Sequence, residues 1–270
     1  MTKTMWNAVV AAGAAALFVG VAAVPAGAAE GGVSFSRVSL NAGKPIVIGV
    51  QEEVEVHATF RMTTTLKYEY GPTVFPYRGK LDNTETLQSA IITSDCHVVD
   101  KAKGICDFEE WVYIDPRNLD FGNEDAGTWR TAARIAILVG GGSDIDDMNI
   151  PVQVQRATRV TVNAAPESVV KGRTITVTGK VTRANWDTHT YQGYAGRTVS
   201  LQFKADGASS YTTVKKVTSG STGSLNTTVT AAKSGTWRWK YYGNDTSGAK
   251  ASTGDHVIVW SGVRVMHAAR

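Results

Sequence analysis

The residues best suited to chemistry in this sequence include an acidic segment between residues 142 and 149. It supplies side-chain oxygens from Asp144, Asp146, Asp147 and Asn149. Calcium takes about six to eight oxygen ligands, often from a flexible loop. The segment lacks the glycine and glutamate positions of an EF-hand, and Asp and Asn also favour ordinary turns. The pattern therefore predicts either a calcium-binding loop or a solvated turn.

The two cysteines are the second chemical feature. Cys96 and Cys106 flank a turn-like segment at residues 100–104. In an exported chain such a pair favours a disulfide, and closing so short a loop stabilises the fold by roughly 3 kcal/mol. A free thiol activated by His97 is the alternative, but adjacent residues of a strand point to opposite faces. We predict a Cys96–Cys106 disulfide that staples a hairpin.

Aromatic residues cluster in the second half of the chain. Trp186, Tyr191 and Tyr194 lie in a polar segment that resembles a loop. Since loops carry binding residues, we predict that these three rings are exposed and bind a ligand such as a sugar ring. Trp237 and Trp239 alternate with basic residues as in a strand, so we predict that both belong to the core.

Catalytic motifs are absent from the sequence. It has no Gly-x-Ser-x-Gly, no His-Glu-x-x-His and no phosphate-binding glycine loop, and its five histidines have no ligand spacing. Glu109 and Glu110 are adjacent, so on a strand they would face opposite ways and could not flank one bond. We predict a protein that is not an enzyme, with no cofactor unless calcium binds.

The elements that position these residues are strands. Apolar residues alternate with polar ones in segments such as 53–62 and 173–181, and turn-forming residues separate the segments. This period of two, with almost no helical period, is typical of an all-β chain.

Two sequence pieces occur twice, which indicates a duplicated domain. Residues 38–42 (VSLNA) match residues 160–164 (VTVNA), and GTWR occurs at both 127–130 and 235–238. Charge changes sign between the copies: residues 30–155 hold 11 Lys and Arg against 19 Asp and Glu, whereas residues 156–270 hold 16 against 5. A sign change at one point is a boundary signal.

The second half resembles the bacterial immunoglobulin-like domains of exported actinobacterial proteins, through residues 196–203, 211–217, 223–229 and 234–243. The first half resembles them more weakly, with Trp129 where a corner tyrosine usually opens the sixth strand. The resemblance concerns the fold and names no activity. It implies two tandem immunoglobulin-like β-sandwiches. With the repeat and the charge change, we place an acidic one at residues 33–156, a basic one at 157–261 and a tail at 262–270.

The N-terminus has the layout of a secretory signal peptide. A basic residue, Lys3, precedes an apolar run at residues 8–24, and Ala26-Gly27-Ala28 offers a cleavage site. A membrane anchor is the alternative, although a run of about 17 residues is at the lower limit for a span. We predict a signal peptide at residues 1–28 and no membrane span in the mature chain.

The predicted function is a secreted, non-catalytic binding or structural module at or outside the cell envelope, free or associated with the cell wall. The basic second half suits an anionic envelope polymer or another extracellular protein. Nucleic acid is not expected, because the basic residues are spread out and export removes that partner. The alternative function is an extracellular calcium-binding protein that uses the acidic segment.

Overall fold

The computed structural model describes residues 32–81, 83–86, 90–117, 122–137 and 143–262. The predicted signal peptide and residues 263–270 of the predicted tail lie outside the described residues. Apart from two 3-10 turns, Asn41–Gly43 and Asn123–Asp125, the regular structure of this part is entirely strand. None of its helical segments has the length and apolarity needed to cross a membrane.

Within the described residues, the first sandwich contains ten strands. They are β1 (Val33–Leu40), β2 (Ile46–Ile48), β3 (Val54–Thr64), β4 (Tyr68–Lys80), β5 (Asn83–Thr86), β6 (Ala90–Thr93), β7 (His97–Asp100), β8 (Ile105–Ile114), β9 (Gly127–Ile137) and β10 (Ser143–Arg156). One sheet has the order β1-β3-β8, with β6 and β7 both paired to β8, and the other has the order β2-β10-β9-β4-β5. The chain thus changes sheet between β1 and β2, and β2 pairs in parallel with β10.

The second sandwich repeats this plan. Its strands are β11 (Thr158–Ala165), β12 (Ser168–Val170), β13 (Thr174–Asn185), β14 (Thr190–Gly193), β15 (Thr198–Ala205), β16 (Thr212–Thr218), β17 (Ser224–Thr230), β18 (Gly235–Tyr241), β19 (Lys250–Ala251) and β20 (Asp255–Trp260). β13 pairs with β11, β14 and β17, and the second sheet has the order β12-β20-β18-β15-β16. The prediction of two tandem immunoglobulin-like β-sandwiches is confirmed.

The repeated GTWR motif opens equivalent strands, β9 and β18. Its tryptophan is buried in each core, as Trp129 and Trp237. The Trp129 indole N–H donates to the Asp125 carbonyl at 2.7 Å, four residues upstream. This bond fixes the turn before the strand in the way that a corner tyrosine does in immunoglobulin domains. Trp239 is also buried, so the prediction that Trp237 and Trp239 are core residues is confirmed.

The Cys96–Cys106 disulfide is confirmed, with the two Cα atoms 5.3 Å apart. Both sulfur-bearing side chains pack against the core of the first sandwich. Their sequence neighbours His97 and Asp107 lie opposite each other in the β7–β8 pair. Since alternate residues change face, the bridge faces inward while His97 and Asp107 face outward.

The two sandwiches are joined by a single residue, Ala157, between β10 and β11. Its N–H donates to the Ile48 carbonyl at 2.8 Å, and its carbonyl accepts the Ala184 N–H at 2.8 Å. The buried Arg156 donates through Nε to the Ala184 carbonyl at 2.6 Å, and burial lowers the pKa of this guanidinium to about 10. Backbone and side chain therefore tie the sandwiches together at the junction.

The turn between β13 and β14 completes the joint. Trp186 in this turn enters the core cluster of the first sandwich and is only 1% exposed. Its indole N–H lies 3.0 Å from the Gly49 carbonyl and 3.3 Å from the Ile48 carbonyl. Asn123 of the first sandwich donates to Asn185 and Asp187 and accepts the Trp186 backbone N–H. These contacts fix the orientation of one sandwich relative to the other.

Candidate functional site

The predicted aromatic ligand site does not form. Trp186 is buried in the joint, and Tyr194 is buried in the core of the second sandwich. The Tyr194 hydroxyl lies 3.0 Å from the Ser247 hydroxyl and 3.1 Å from Arg183 Nη1. Tyr191 is half-buried, with the Arg159 guanidinium 3.7 Å from its ring centroid. The expected exposure of Trp186 and Tyr194 is wrong, because the polar segment that carries Trp186 docks on the first sandwich.

The acidic segment is part of strand β10 and is not the expected loop. Asp144 and Asp146 pair with Ile135 and Ala133, which are core residues. Directly opposed residues share a face, so these two carboxylates point inward. Burial raises the pKa of Asp146, and the charge of Asp144 raises it further.

Asp147 and Asn149 have other partners. The Asp147 carboxylate forms an ion pair with Arg130 at 2.7 Å and accepts the Asn149 backbone N–H at 2.8 Å. Arg130 contacts the ring of Tyr77 with its guanidinium 5.1 Å from the centroid. The four residues of the predicted calcium site therefore do not converge, with Asp147 on the outer face of the sheet.

Calcium binding stays a prediction. The positions of these carboxylates determine what we expect when calcium is added to the protein. Two inward carboxylates fall short of the six or so oxygens that calcium takes. We expect the melting temperature of the protein to be the same in a chelator and in millimolar calcium. A ligand at a hundredfold its dissociation constant would add about 2.7 kcal/mol to the free energy of unfolding. A rise of several degrees that disappears in Asp144→Asn would contradict this expectation.

As predicted, the adjacent side chains of Glu109 and Glu110 face opposite sides of their strand. In addition, Glu110 is completely buried. Glu109 is exposed, whereas Glu110 is 0% exposed inside the first sandwich. The Glu110 carboxyl accepts the Val74 backbone N–H at 3.1 Å and the Thr93 hydroxyl at 3.0 Å. Burial raises the pKa of Glu110 to about 8, although both hydrogen bonds act in the opposite direction. The burial of Glu110 could have been predicted from the sequence, because Glu110 alternates with the apolar Phe108 and Val112.

A cavity of about 460 Å³ opens on the outer face of the first sandwich, beside the disulfide. Its lining includes Arg37, His97 and Asp107. Asp107 accepts two hydrogen bonds from Arg61, at 2.6 and 2.8 Å, and this guanidinium lowers the pKa of the Asp107 carboxyl. Because the lining carboxylate of Asp107 is already paired with Arg61, the cavity is a weaker candidate for a charged ligand than the surface of the second sandwich.

The strongest candidate is the outer surface of β15, β16 and β18, here called the cationic face. It carries four basic side chains, Lys204, Lys216, Arg238 and Lys240, and two tyrosines, Tyr211 and Tyr242. Across the strands, Lys216 and Lys240 both lie opposite Ser200, while Thr213 and Arg238 both lie opposite Gln202. The three strands contain no Asp or Glu. Among the residues that the structure describes, no carboxylate lies within 4.0 Å of any of these four cations.

Two acidic side chains on segments next to these strands have other partners. Asp206, which follows β15, contacts His256 at 3.0 Å. Asp255, at the start of β20, accepts the Ala164 backbone N–H at 2.6 Å. Within the described ranges, the cationic face therefore presents four cations that no carboxylate contacts directly.

Long side chains cover the middle of this face. Gln202 is only 5% exposed, although it points outward, and Ser200 is buried beside it. Lys204, Arg238 and Lys240 are half-buried, as expected when apolar stems lie on the sheet and charged ends reach water. The Lys240 amino group lies 4.8 Å from the ring centroid of Tyr242, which is 57% exposed. The face thus combines fixed cations with an accessible aromatic ring.

No metal site accompanies these features in the described ranges, where no group of three or more His, Cys, Asp or Glu side chains is placed to hold an ion. The arrangement of the cationic face suits binding, since it has cations, amide and hydroxyl groups but no nucleophile paired with a base.

Comparison with known proteins gives structural matches of low similarity. No family model and no curated protein matches the chain in sequence. A chimeric titin Z1Z2 tandem is 17% identical, covering 85% of this chain and 100% of its own, with a TM-score of 0.30. The fibronectin(III)-like modules of CbhA from Clostridium thermocellum are 13% identical over 86% of this chain and 98% of theirs (TM-score 0.30). The D00-D0 domain of intimin is 15% identical over 82% and 99% (TM-score 0.27).

These similar structures are immunoglobulin-like and fibronectin-like domains. They give no support to a specifically actinobacterial resemblance, and none of them identifies a ligand of this chain.

Proposed function

We propose that this protein is a non-catalytic binding module of the cell exterior whose cationic face holds an anionic envelope polymer. The observation that carries the proposal is the set of four cations on β15, β16 and β18, which have no carboxylate partner within 4.0 Å in the part of the chain that the structure describes. Clustered cations attract a polyanion over a Debye length of about 10 Å at moderate salt. An extracellular location is supported by the disulfide, because such bonds persist in oxidising compartments.

The joint supports the same proposal. Because Trp186 and Asn123 fix the orientation of the two sandwiches, the cationic face keeps one direction relative to the first sandwich. A fixed orientation lowers the entropic cost of contacting an extended polymer, since no hinge has to be ordered on binding. The first sandwich then acts as a rigid, acidic support.

The test is a binding titration of the full chain with two charge-matched polyanions, a poly(glycerol phosphate) and a polygalacturonate, at low and at moderate salt. We expect binding at low salt that weakens steeply as salt is added. The triple variant Lys204→Ala/Lys216→Ala/Lys240→Ala should lose at least tenfold in affinity, because its three charges lie on the cationic face.

The matched control is Lys171→Ala/Arg173→Ala/Lys180→Ala. It removes the same net charge from exposed positions in the second sandwich that lie outside the cationic face. We expect it to bind within about threefold of the wild type, since only distant, screened charges change. A wild type that ignores both polymers at low salt, or equal losses in the two triple variants, would overturn the proposal. Capture of another extracellular protein at this face, with no polymer binding, would also do so.

A further inference from the structure

The duplicated GTWR motif provides an internal comparison between two arginines. Arg130 in the first sandwich and Arg238 in the second each follow the buried tryptophan of the motif, so both point outward. Each guanidinium lies on a tyrosine ring, 5.1 Å from the centroid of Tyr77 for Arg130 and 3.6 Å from that of Tyr211 for Arg238. The two positions are therefore equivalent in strand and face, although Tyr77 lies directly opposite Arg130 on β4 and Tyr211 lies just before β16.

The two arginines differ in their polar partners. Arg130 donates to a carboxylate, that of Asp147, at 2.7 Å, so its charge is neutralised within the protein. Arg238 donates through Nε to the neutral Gln202 Oε1 at 2.9 Å. No carboxylate in the described part of the chain lies within 4.0 Å of Arg238.

Gln202 holds this guanidinium in place. Its side-chain amide lies 3.2 Å from the Tyr242 hydroxyl and 3.4 Å from the Thr213 hydroxyl, which fixes the direction of its oxygen toward Arg238. Stacking on Tyr211 fixes the plane of the guanidinium, and the Gln202 bond fixes its rotation in that plane. The two Nη groups then form a rigid fork of donors. Lys204 lies beside it, 5.3 Å from the centroid of the same Tyr211 ring.

The geometry points to Arg238 as the anion-selecting residue of the cationic face. It takes one group with two adjacent anionic oxygens, a phosphodiester or a carboxylate, in two parallel hydrogen bonds, and Lys204 adds a second positive charge beside it. A planar fork matches such a group, whereas a lysine ammonium is a point charge. This inference rests on the proposed function, because it names the chemistry by which the same face recognises its polymer.

The test distinguishes the effect of the two-donor geometry of Arg238 from the effect of its positive charge. Arg238→Lys keeps the charge and removes the fork, so we expect at least a tenfold loss of affinity with an unchanged slope of log affinity against log salt. The slope counts neutralised charges, and their number does not change. Gln202→Met keeps the length of a positioning side chain and removes the acceptor for Nε, so we expect a smaller loss in the same direction. Arg173→Lys is the control at an exposed arginine outside the cationic face, and it should bind as the wild type does.

The two polymers distinguish the source of the oxyanion. If Arg238→Lys loses tenfold or more in affinity for poly(glycerol phosphate) alone, the fork selects phosphodiesters. If it loses this affinity for polygalacturonate alone, the fork selects carboxylates. If folded Arg238→Lys binds both polymers as the wild type does, the fork is not used and the inference fails, while the proposed function stands. If the wild type binds neither polymer, both fail. Thermal unfolding of each variant confirms that it is folded.

Discussion

Replacement of Trp186 by alanine should lower the free energy of unfolding by about 3–5 kcal/mol. The indole is buried in the core cluster of the first sandwich although it belongs to a turn of the second. Its removal leaves a cavity among the apolar side chains of the first sandwich. The Gly49 carbonyl also loses the indole N–H that lies 3.0 Å away, which adds a desolvation cost, whereas the Ile48 carbonyl keeps the Ala157 N–H as donor.

The same substitution should uncouple the two sandwiches. With Trp186 in place, neither sandwich can open without exposing part of the other, so calorimetry of the wild type should show one cooperative transition. In Trp186→Ala we expect two transitions, the lower one shifted down by about 10 °C, since 1 kcal/mol corresponds to roughly 2–4 °C for a chain of this size. Trp186→Phe should fall between the two, because it keeps most of the apolar volume and loses the N–H donor.

Trp260→Ala is the matched control for this prediction. Trp260 lies on β20 of the second sandwich and is 48% exposed. The control therefore also replaces a tryptophan by alanine, but outside the joint. We expect a change of at most about 1 kcal/mol, as for most surface substitutions. If Trp186→Ala melts no lower than Trp260→Ala, Trp186 does not stabilise the joint.

Local alternation in the sequence was enough to place residues within a strand. Trp237 and Trp239 are predicted to face the core and Arg238 and Lys240 the opposite side, and the sheet pairing agrees. The repeat and the change of charge likewise predict two similar domains. These inferences succeed because a strand has a fixed period of two, which requires no knowledge of its neighbours.

Contacts between distant segments could not be read from the same pattern. Trp186 lies in a polar turn, and its partner carbonyl at Ile48 is 138 residues away in the chain. A local pattern predicts a loop there, and a loop is expected to be exposed. The fork at Arg238 also depends on the register of β15 against β18, which places Gln202 directly opposite. Neither the docked turn nor this pairing leaves a local signal in the sequence.

Replacement of Glu110 by glutamine should stabilise the protein increasingly as the pH rises. Burial raises the pKa of Glu110 to about 8 in the folded state, from 4.5 for an ordinary glutamate. The folded state therefore binds more protons than the unfolded state between these two values. It follows that the wild type loses stability as pH rises through this window, and that the loss is complete above the folded pKa.

Glutamine keeps the shape of the protonated side chain and cannot ionise. Its carbonyl oxygen can accept the Val74 N–H and the Thr93 hydroxyl, which are the partners of Glu110. Near pH 4.5 the two proteins should be close in stability. At pH 9 we expect the glutamine variant to be more stable by on the order of 4 kcal/mol, since each pKa unit corresponds to about 1.4 kcal/mol.

Urea unfolding of both proteins at intervals from pH 4.5 to 9 measures this difference directly. Other titrating groups contribute equally to both proteins and cancel in the comparison. Glu53→Gln is the control, because it removes an exposed carboxylate of the first sandwich and should leave the pH dependence of the wild type unchanged, whereas Glu109→Gln would also break the 3.7 Å pair with His57. A difference between Glu110→Gln and the wild type that stays constant with pH would show that the Glu110 carboxyl is solvated. Growth of that difference toward pH 9 would show that the first sandwich folds around a neutral carboxylic acid.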